Sequence, residues 1–122
     1  GDDMQTQALE QRSFQFYNEQ NYVESIRVLE KLVELAPHKK SGYLNNIGVC
    51  YEEMGDNEKA MIFYKKSMSA DESNLNAYGG MASIYLKQGN REEAIKYYEK
   101  ILEKSPEDMV VKTKVDSLKA LK

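Results

Sequence analysis

Apolar residues recur along the chain at helical rather than alternating spacing. Leu44, Ile47 and Tyr51 lie three or four positions apart, and polar residues occupy most of the places between them. The same spacing continues on both sides, and short breaks rich in glycine, asparagine or proline interrupt it. The pattern predicts an all-α fold. The predicted helices span 4–18, 22–35, 41–54, 57–70, 75–88, 91–104 and 108–121.

The chain repeats itself at an interval of about 34 residues, which is typical of a helical repeat protein. A shift of this length superposes six identical pairs: Tyr51 and Tyr85, Gly55 and Gly89, Glu58 and Glu92, Ala60 and Ala94, Tyr64 and Tyr98, Lys66 and Lys100. A weaker copy lies upstream and places Phe16 under Tyr51. We therefore expect three helical hairpins, within the repeats 6–40, 41–74 and 75–108.

Each predicted hairpin turn carries residues that end one helix and begin the next. The turns fall at Gln20-Asn21, Gly55-Asp56 and Gly89-Asn90. Glycine can end a helix in the left-handed conformation, and Asp or Asn can cap the following helix. Glutamate three positions after Asn21 and Asn90 gives a spacing similar to a capping box.

The segment 109–122 alternates apolar and polar residues at helical spacing, with Val111, Val115 and Leu118 on one face. A stack of hairpins leaves an apolar flank at its end, and a terminal helix with one polar face covers such a flank. The segment is therefore predicted to be a capping helix, and residues 1–122 to form a single domain.

The copies resemble the tetratricopeptide repeat over residues 6–108. The third copy carries the family pattern as Tyr78, Met81-Ala82, Tyr85, Gly89, Ala94, Tyr98 and Pro106, and the second as Leu44, Ile47-Gly48, Tyr51, Gly55, Ala60, Tyr64 and Ser67. The first copy departs from it, with Arg12-Ser13 at the Leu-Gly place. The resemblance implies a right-handed superhelical stack of three hairpins plus a C-terminal capping helix.

Small residues are expected where the two helices of a hairpin cross. Gly48 should face Ala60, and Ala82 should face Ala94, which would allow the helices to approach closely.

The resemblance also implies a function: a non-catalytic scaffold that binds a peptide or protein segment in a concave groove lined by the first helices. Amides in such a groove can bond a peptide backbone, while apolar side chains anchor the ligand. By that analogy, the place of each residue within its repeat assigns these residues to the groove: Gln7, Glu10, Phe14, Tyr17, Asn18, Asn45, Asn46, Val49, Glu52, Asn76, Gly79, Ser83 and Leu86. The residues most expected to contact a partner are Tyr17, Asn18, Asn45, Asn46, Val49, Glu52, Asn76 and Ser83.

One subclass of the family clamps the C-terminal carboxylate of chaperones with lysine, arginine and asparagine. At the matching places this chain has Glu10, Phe14, Asn46, Asn76 and Gly80. Only Asn46 agrees, and a ligand carboxylate would meet an acid instead of a cation. We therefore expect no chaperone-tail clamp.

Composition excludes several other functions. The net charge of −3 and the scattered Lys and Arg residues provide no basic patch for nucleic acid. Apolar runs are far shorter than the ~20 residues that span a bilayer, so no membrane insertion is expected. With His38 as the only histidine and Cys50 as the only cysteine, no cofactor, metal site or enzymatic activity is expected.

Two matters stay open at this point. The alternative function is a self-associating structural module, a homodimer whose groove is unused. The compartment is unknown: it is cytoplasmic, or it is periplasmic if a signal segment was removed ahead of Gly1.

Overall fold

Helices account for nearly all of the chain in the computed structural model, which describes residues 2–121. Gly1 and Lys122, which belong to the predicted domain 1–122, lie outside the described residues. The elements in chain order are α1 (Asp2–Asn18), α2 (Tyr22–Leu35), a 3₁₀ turn (Pro37–Lys39), α3 (Lys40–Glu53), α4 (Asn57–Ala70), α5 (Asn76–Lys87), α6 (Arg91–Lys104) and α7 (Met109–Ala120). No strand occurs among residues 2–121, which confirms the all-α prediction.

The observed helix bounds agree with the predicted ones to within two residues. The 3₁₀ turn at Pro37–Lys39 was not predicted. Proline stands at its first position, where the fixed φ angle suits a helical turn and the missing N–H is no loss. The described helices include none that is long and apolar enough to cross a membrane.

The three hairpin turns share one backbone geometry. Gln20, Gly55 and Gly89 have φ angles of 62°, 83° and 76°, so each residue lies in the left-handed region. At the second turn the N–H of Gly55 donates to the carbonyl of Glu52, and the N–H of Asp56 donates to that of Tyr51. Equivalent pairs of bonds close the other two turns. This is the Schellman motif, and it confirms that glycine ends the first helix of the second and third hairpins.

Within residues 2–121, three helices have a side chain that caps their first turn. The carboxylate of Asp56 accepts from the N–H of Lys59 at 3.1 Å, and the amide oxygen of Asn90 accepts from the N–H of Glu93 at 3.3 Å. Asp108 caps α7 in the same way. The predicted cap at Asn21 is wrong, because that side chain makes no cap hydrogen bond. Its backbone angles resemble those of Asp56, so the two positions differ in the side chain and not in the backbone.

The caps provide a matched pair of substitutions. Asn90→Ala should lower the free energy of unfolding by about 1 kcal/mol, since it removes a cap hydrogen bond. Asn21→Ala removes no such bond and should cost only a small part of that amount. Urea unfolding of both variants measures the difference, and equal losses would contradict the assignment of the caps.

Contacts divide the chain into two compact units, one ending at Asn74 and one beginning at Leu75. The single-domain arrangement therefore stays a prediction. In the first unit α1 packs on α2, α2 on α3, and α3 on α4. The core of that unit consists of Ile26, Leu29, Leu32, Ala36, Tyr43, Ile47 and Cys50.

The second hairpin crosses tightly at Gly48. A Cβ atom on Gly48 would lie 2.8 Å from two ring carbons of Tyr64 and 3.3 Å from the carbonyl oxygen of Ala60. Ala60 is fully buried. The predicted close approach of Gly48 and Ala60 is thus confirmed. Tyr51 stacks on Phe63 of the same hairpin, with ring centroids 5.5 Å apart.

In the second unit α5 packs on α6 and α6 packs on α7. Ala82 and Ala94 are fully buried, as expected at a tight crossing. The core of this unit consists of Ala82, Ala94, Tyr98, Ile101, Val111 and Val115. Two of these side chains come from α7, so this helix covers α6 as predicted for a cap.

Candidate functional site

A cleft of about 410 Å³ opens among α1, α2 and α3 in the first unit. Helix α1 contributes residues 10, 13, 14 and 17, and α3 contributes 43, 46, 49 and 50, so each helix presents one face to the cleft. The full lining is Glu10, Ser13, Phe14, Tyr17, Ser25, Leu29, Tyr43, Asn46, Val49 and Cys50. The volume is within the range of ligand-binding sites in proteins.

The apolar wall of the cleft includes an aromatic side chain that faces solvent. Phe14 is 66% exposed, whereas Tyr17 and Val49 are half-buried. The ring of Tyr17 is held by an edge contact with Tyr22, with centroids 5.5 Å apart. Ordered aromatic and aliphatic side chains beside solvent are typical of surfaces that anchor a partner.

A carboxylate borders this apolar wall. The hydroxyl of Tyr43 donates to Glu10 Oε2 at 2.6 Å, and Lys39 Nζ lies 3.5 Å from the same oxygen. Burial raises the pKa of the Tyr43 phenol, and the hydrogen bond to Glu10 raises this pKa further. Tyr43 therefore stays a neutral donor, and it fixes the Glu10 carboxylate in place.

The two serines of the lining make short hydrogen bonds to backbone carbonyl groups. Ser25 Oγ donates to the carbonyl oxygen of Ser13 at 2.9 Å, and Ser13 Oγ donates to that of Glu10 at 2.8 Å. The bond from Ser25 holds α1 against α2, and the bond from Ser13 to Glu10 lies within α1. Cys50 is 1% exposed, and burial raises the pKa of its thiol, which keeps the sulfur in its poorly nucleophilic neutral form.

His38 is exposed in the 3₁₀ turn. Among the side chains that the structure describes, those of residues 3–121, no group of three His, Cys, Asp or Glu is placed to hold a metal ion.

The structure brings Tyr17, Asn46 and Val49 together in the cleft, and Asn46 is exposed there. Asn18 is exposed on α1 outside the lining. The carboxylate of Glu52 accepts from the hydroxyl of Tyr64 at 2.7 Å, next to the tight crossing at Gly48.

Asn45 is placed differently from its neighbour. It is 8% exposed, and its amide nitrogen donates to Asn46 Oδ1 at 3.4 Å. Because so little of its surface reaches solvent, Asn45 offers less to a ligand than the sequence predicts. Asn76 is exposed and Ser83 half-buried on α5 of the second unit, and their part in binding stays a prediction.

Sequence reasoning missed half of the cleft: Ser13, Ser25, Leu29, Tyr43 and Cys50 were not assigned to a groove. A signal existed for Tyr43, because the corresponding residue of the third repeat is the much smaller Ala77. Tyr43 also lies three positions before Asn46, which places both on one helix face. Ser25 and Leu29 of α2 carried no such signal, because only the first helix of each hairpin was expected to line the groove.

Family models described as "Tetratricopeptide repeat" match residues 41–74 and 75–108, together more than half of the chain. Among curated proteins, the photosystem I assembly protein Ycf3 of Rippkaea orientalis is 32% identical over an alignment of 90 residues, and the match covers 68% of this chain and 49% of that protein. The chain spans less than half the length of the curated relatives it matches.

Two solved structures show the same fold with a peptide bound. The first TPR of Spaghetti, bound to an HSP90 peptide, has a TM-score of 0.81 at 18% identity and covers 93% of this chain and 92% of its own. The Yersinia enterocolitica type III secretion chaperone SycD, in complex with a peptide of the translocator YopD, has a TM-score of 0.81 at 19% identity, with coverages of 93% and 91%.

Proposed function

Because the chain belongs to the tetratricopeptide repeat family, we propose that it is a non-catalytic interaction module whose cleft among α1, α2 and α3 binds an extended segment of a partner protein. The observation that carries this proposal is the exposed Phe14 ring, which stands in a cleft beside Tyr17, Val49 and the exposed Asn46.

The cleft combines the two kinds of contact that an extended segment needs. An amide such as that of Asn46 can both donate to and accept from a peptide backbone, whatever the sequence of the ligand. Phe14, Tyr17 and Val49 supply apolar surface against which a ligand side chain gains free energy on burial. The hydrogen bond from Ser25 to Ser13 joins α2 to α1, and that from Tyr43 to Glu10 joins α3 to α1. The lining helices are therefore held together before any ligand arrives, which lowers the cost of ordering them.

The peptide complexes of Spaghetti and SycD support a peptide as the class of ligand, since both share the fold. The sequences of their peptides are not part of this proposal. Glu10 stands at a place where the chaperone-tail clamp of the family has a cation, and its carboxylate lines the cleft. A peptide with a free acidic C-terminus should bind this chain no better than its amidated form.

Photo-crosslinking tests the position of the binding site. Benzoylphenylalanine replaces Phe14 in one variant and Ile62 in another; both residues are largely exposed, and Ile62 lies on α4 away from the cleft. In an extract of the native cell, the probe at position 14 should crosslink to one contiguous segment of a partner, and the probe at position 62 should not.

The same experiment distinguishes the peptide-binding module from the alternative function, a self-associating module. Crosslinks from position 14 to a second copy of this chain would support the self-associating module instead. Light scattering over a concentration series would then show a dimer. Equal crosslinking from positions 14 and 62 would contradict a specific site in the cleft.

A further inference from the structure

Glu10 leaves part of its carboxylate available to a ligand. It is the only charged residue of the described cleft lining. Its hydrogen bonds from Tyr43 and Lys39 both end on Oε2, and Oε1 receives no hydrogen bond from the described residues. One third of the Glu10 side chain remains exposed. A donor that enters the cleft can therefore reach a fixed carboxylate oxygen.

Lys39 does not neutralise this carboxylate effectively. Its nitrogen lies 3.5 Å from Glu10 Oε2, and half of the Lys39 side chain is exposed. Ion pairs of this exposed kind contribute little free energy because water screens them and the long side chain loses freedom. The weak pair with Lys39 on Oε2 therefore leaves the carboxylate able to bind a ligand cation at Oε1.

The opposite end of the cleft is also negative. Two carboxylates, those of Glu52 and Glu53, lie near the Tyr17 phenol; burial raises its pKa most, and Glu53 and Glu52 raise it further. Helices α1 and α3 both end close to this point, and neither has a basic residue in its last turn. The carbonyl groups at a helix C-terminus attract cations, so the backbone adds to the negative potential.

We propose that the cleft selects partner segments in which a lysine or arginine stands close to an apolar side chain. This inference rests on the proposed function. The apolar side chain packs against Phe14 and Val49, and the basic side chain donates to Glu10 Oε1. An acidic segment meets no cation in the lining and is disfavoured, which distinguishes this cleft from one that clamps a terminal carboxylate.

Selection from a random library tests the preference whichever protein supplies the natural segment. Decapeptides displayed on phage are selected for binding to the immobilised full chain. Peptides that also bind the Phe14→Ala variant are discarded, because their binding does not depend on the cleft. The remaining peptides, which depend on the cleft, should be enriched in lysine or arginine near an apolar residue. A synthetic copy of one such peptide should bind Glu10→Gln about fivefold more weakly than wild type. Glu58→Gln, an exposed acid on α4, should bind it unchanged.

A second measurement keeps the test independent of any effect of Glu10→Gln on folding. Replacing the basic residue of the peptide with alanine should weaken binding to wild type by the same factor and have no further effect on Glu10→Gln. Cleft-dependent peptides that are neutral or acidic, or additive effects of the two changes, would overturn the preference and leave the proposed function standing. If no selected peptide depends on Phe14, the proposed function itself fails.

Discussion

Removal of residues 109–122 is expected to cause aggregation or a large fall in melting temperature. Val111 and Val115 of α7 are 9% and 4% exposed, and they pack with Tyr98 and Ile101 of α6. Loss of two buried valines alone corresponds to roughly 3–6 kcal/mol. Without α7 the apolar side chains of α6 would be exposed to solvent. They would associate with the same surface on other molecules, which leads to aggregation.

Polar contacts add to this interface. Lys119 pairs with Glu99 at 2.8 Å, and Lys114 Nζ lies 5.5 Å from the ring centroid of Tyr98. Light scattering and a thermal melt of the truncated chain measure the outcome. Val115→Asp is a milder version of the same test, and Thr113→Asp, exposed on the same helix, is its control. A truncated chain that stays monomeric with an unchanged melt would show that α7 does not act as a cap.

Gly48→Ala should destabilise the chain by about 1–3 kcal/mol, although alanine is the better helix former. The new methyl group would lie 2.8 Å from the Tyr64 ring. That ring cannot shift easily, because Tyr64 is 1% exposed and its hydroxyl is bound to Glu52.

Gly42→Ala is the matched control on the same helix. A Cβ atom at position 42 would meet nothing within 4 Å, so this change should stabilise the chain by up to about 1 kcal/mol through helix propensity alone. Denaturant unfolding of the two variants measures both signs. A neutral or stabilising Gly48→Ala would mean that α3 and α4 do not cross at this residue.

Local signals explain why the helices could be predicted from the sequence. Gly55 and Gly89 mark turns because the left-handed conformation costs glycine little, and Asp56 and Asn90 mark helix starts because their side chains accept backbone N–H bonds. Gln20 adopts the same conformation without that advantage. The turn at Gln20 was predicted because this residue aligns with Gly55 in the repeat, and not because of its residue type.

The cleft was predicted less completely because its shape depends on side chains from three helices. The place of each residue in the repeat assigned Asn46 and Val49 to the groove, and both line the cleft. It did not predict that Asn45 would be buried. The first repeat departs from the family pattern, so its phase gave little indication that Ser13 would bond Ser25 across α1 and α2. Such contacts depend on how the helices pack and leave no periodic trace in the sequence.

Binding of the captured partner segment to cleft variants is the most direct measurement of the central proposal, that this cleft holds the partner. Calorimetry would compare wild type with Asn46→Ala/Val49→Ala and with Ile62→Ala/Lys65→Ala, a control pair on α4 outside this cleft. The cleft pair should weaken binding about tenfold or more, since it removes an amide and an apolar contact at the centre of the site. The control pair should leave binding unchanged. Equal affinity for wild type and the Asn46/Val49 variant would contradict the proposal.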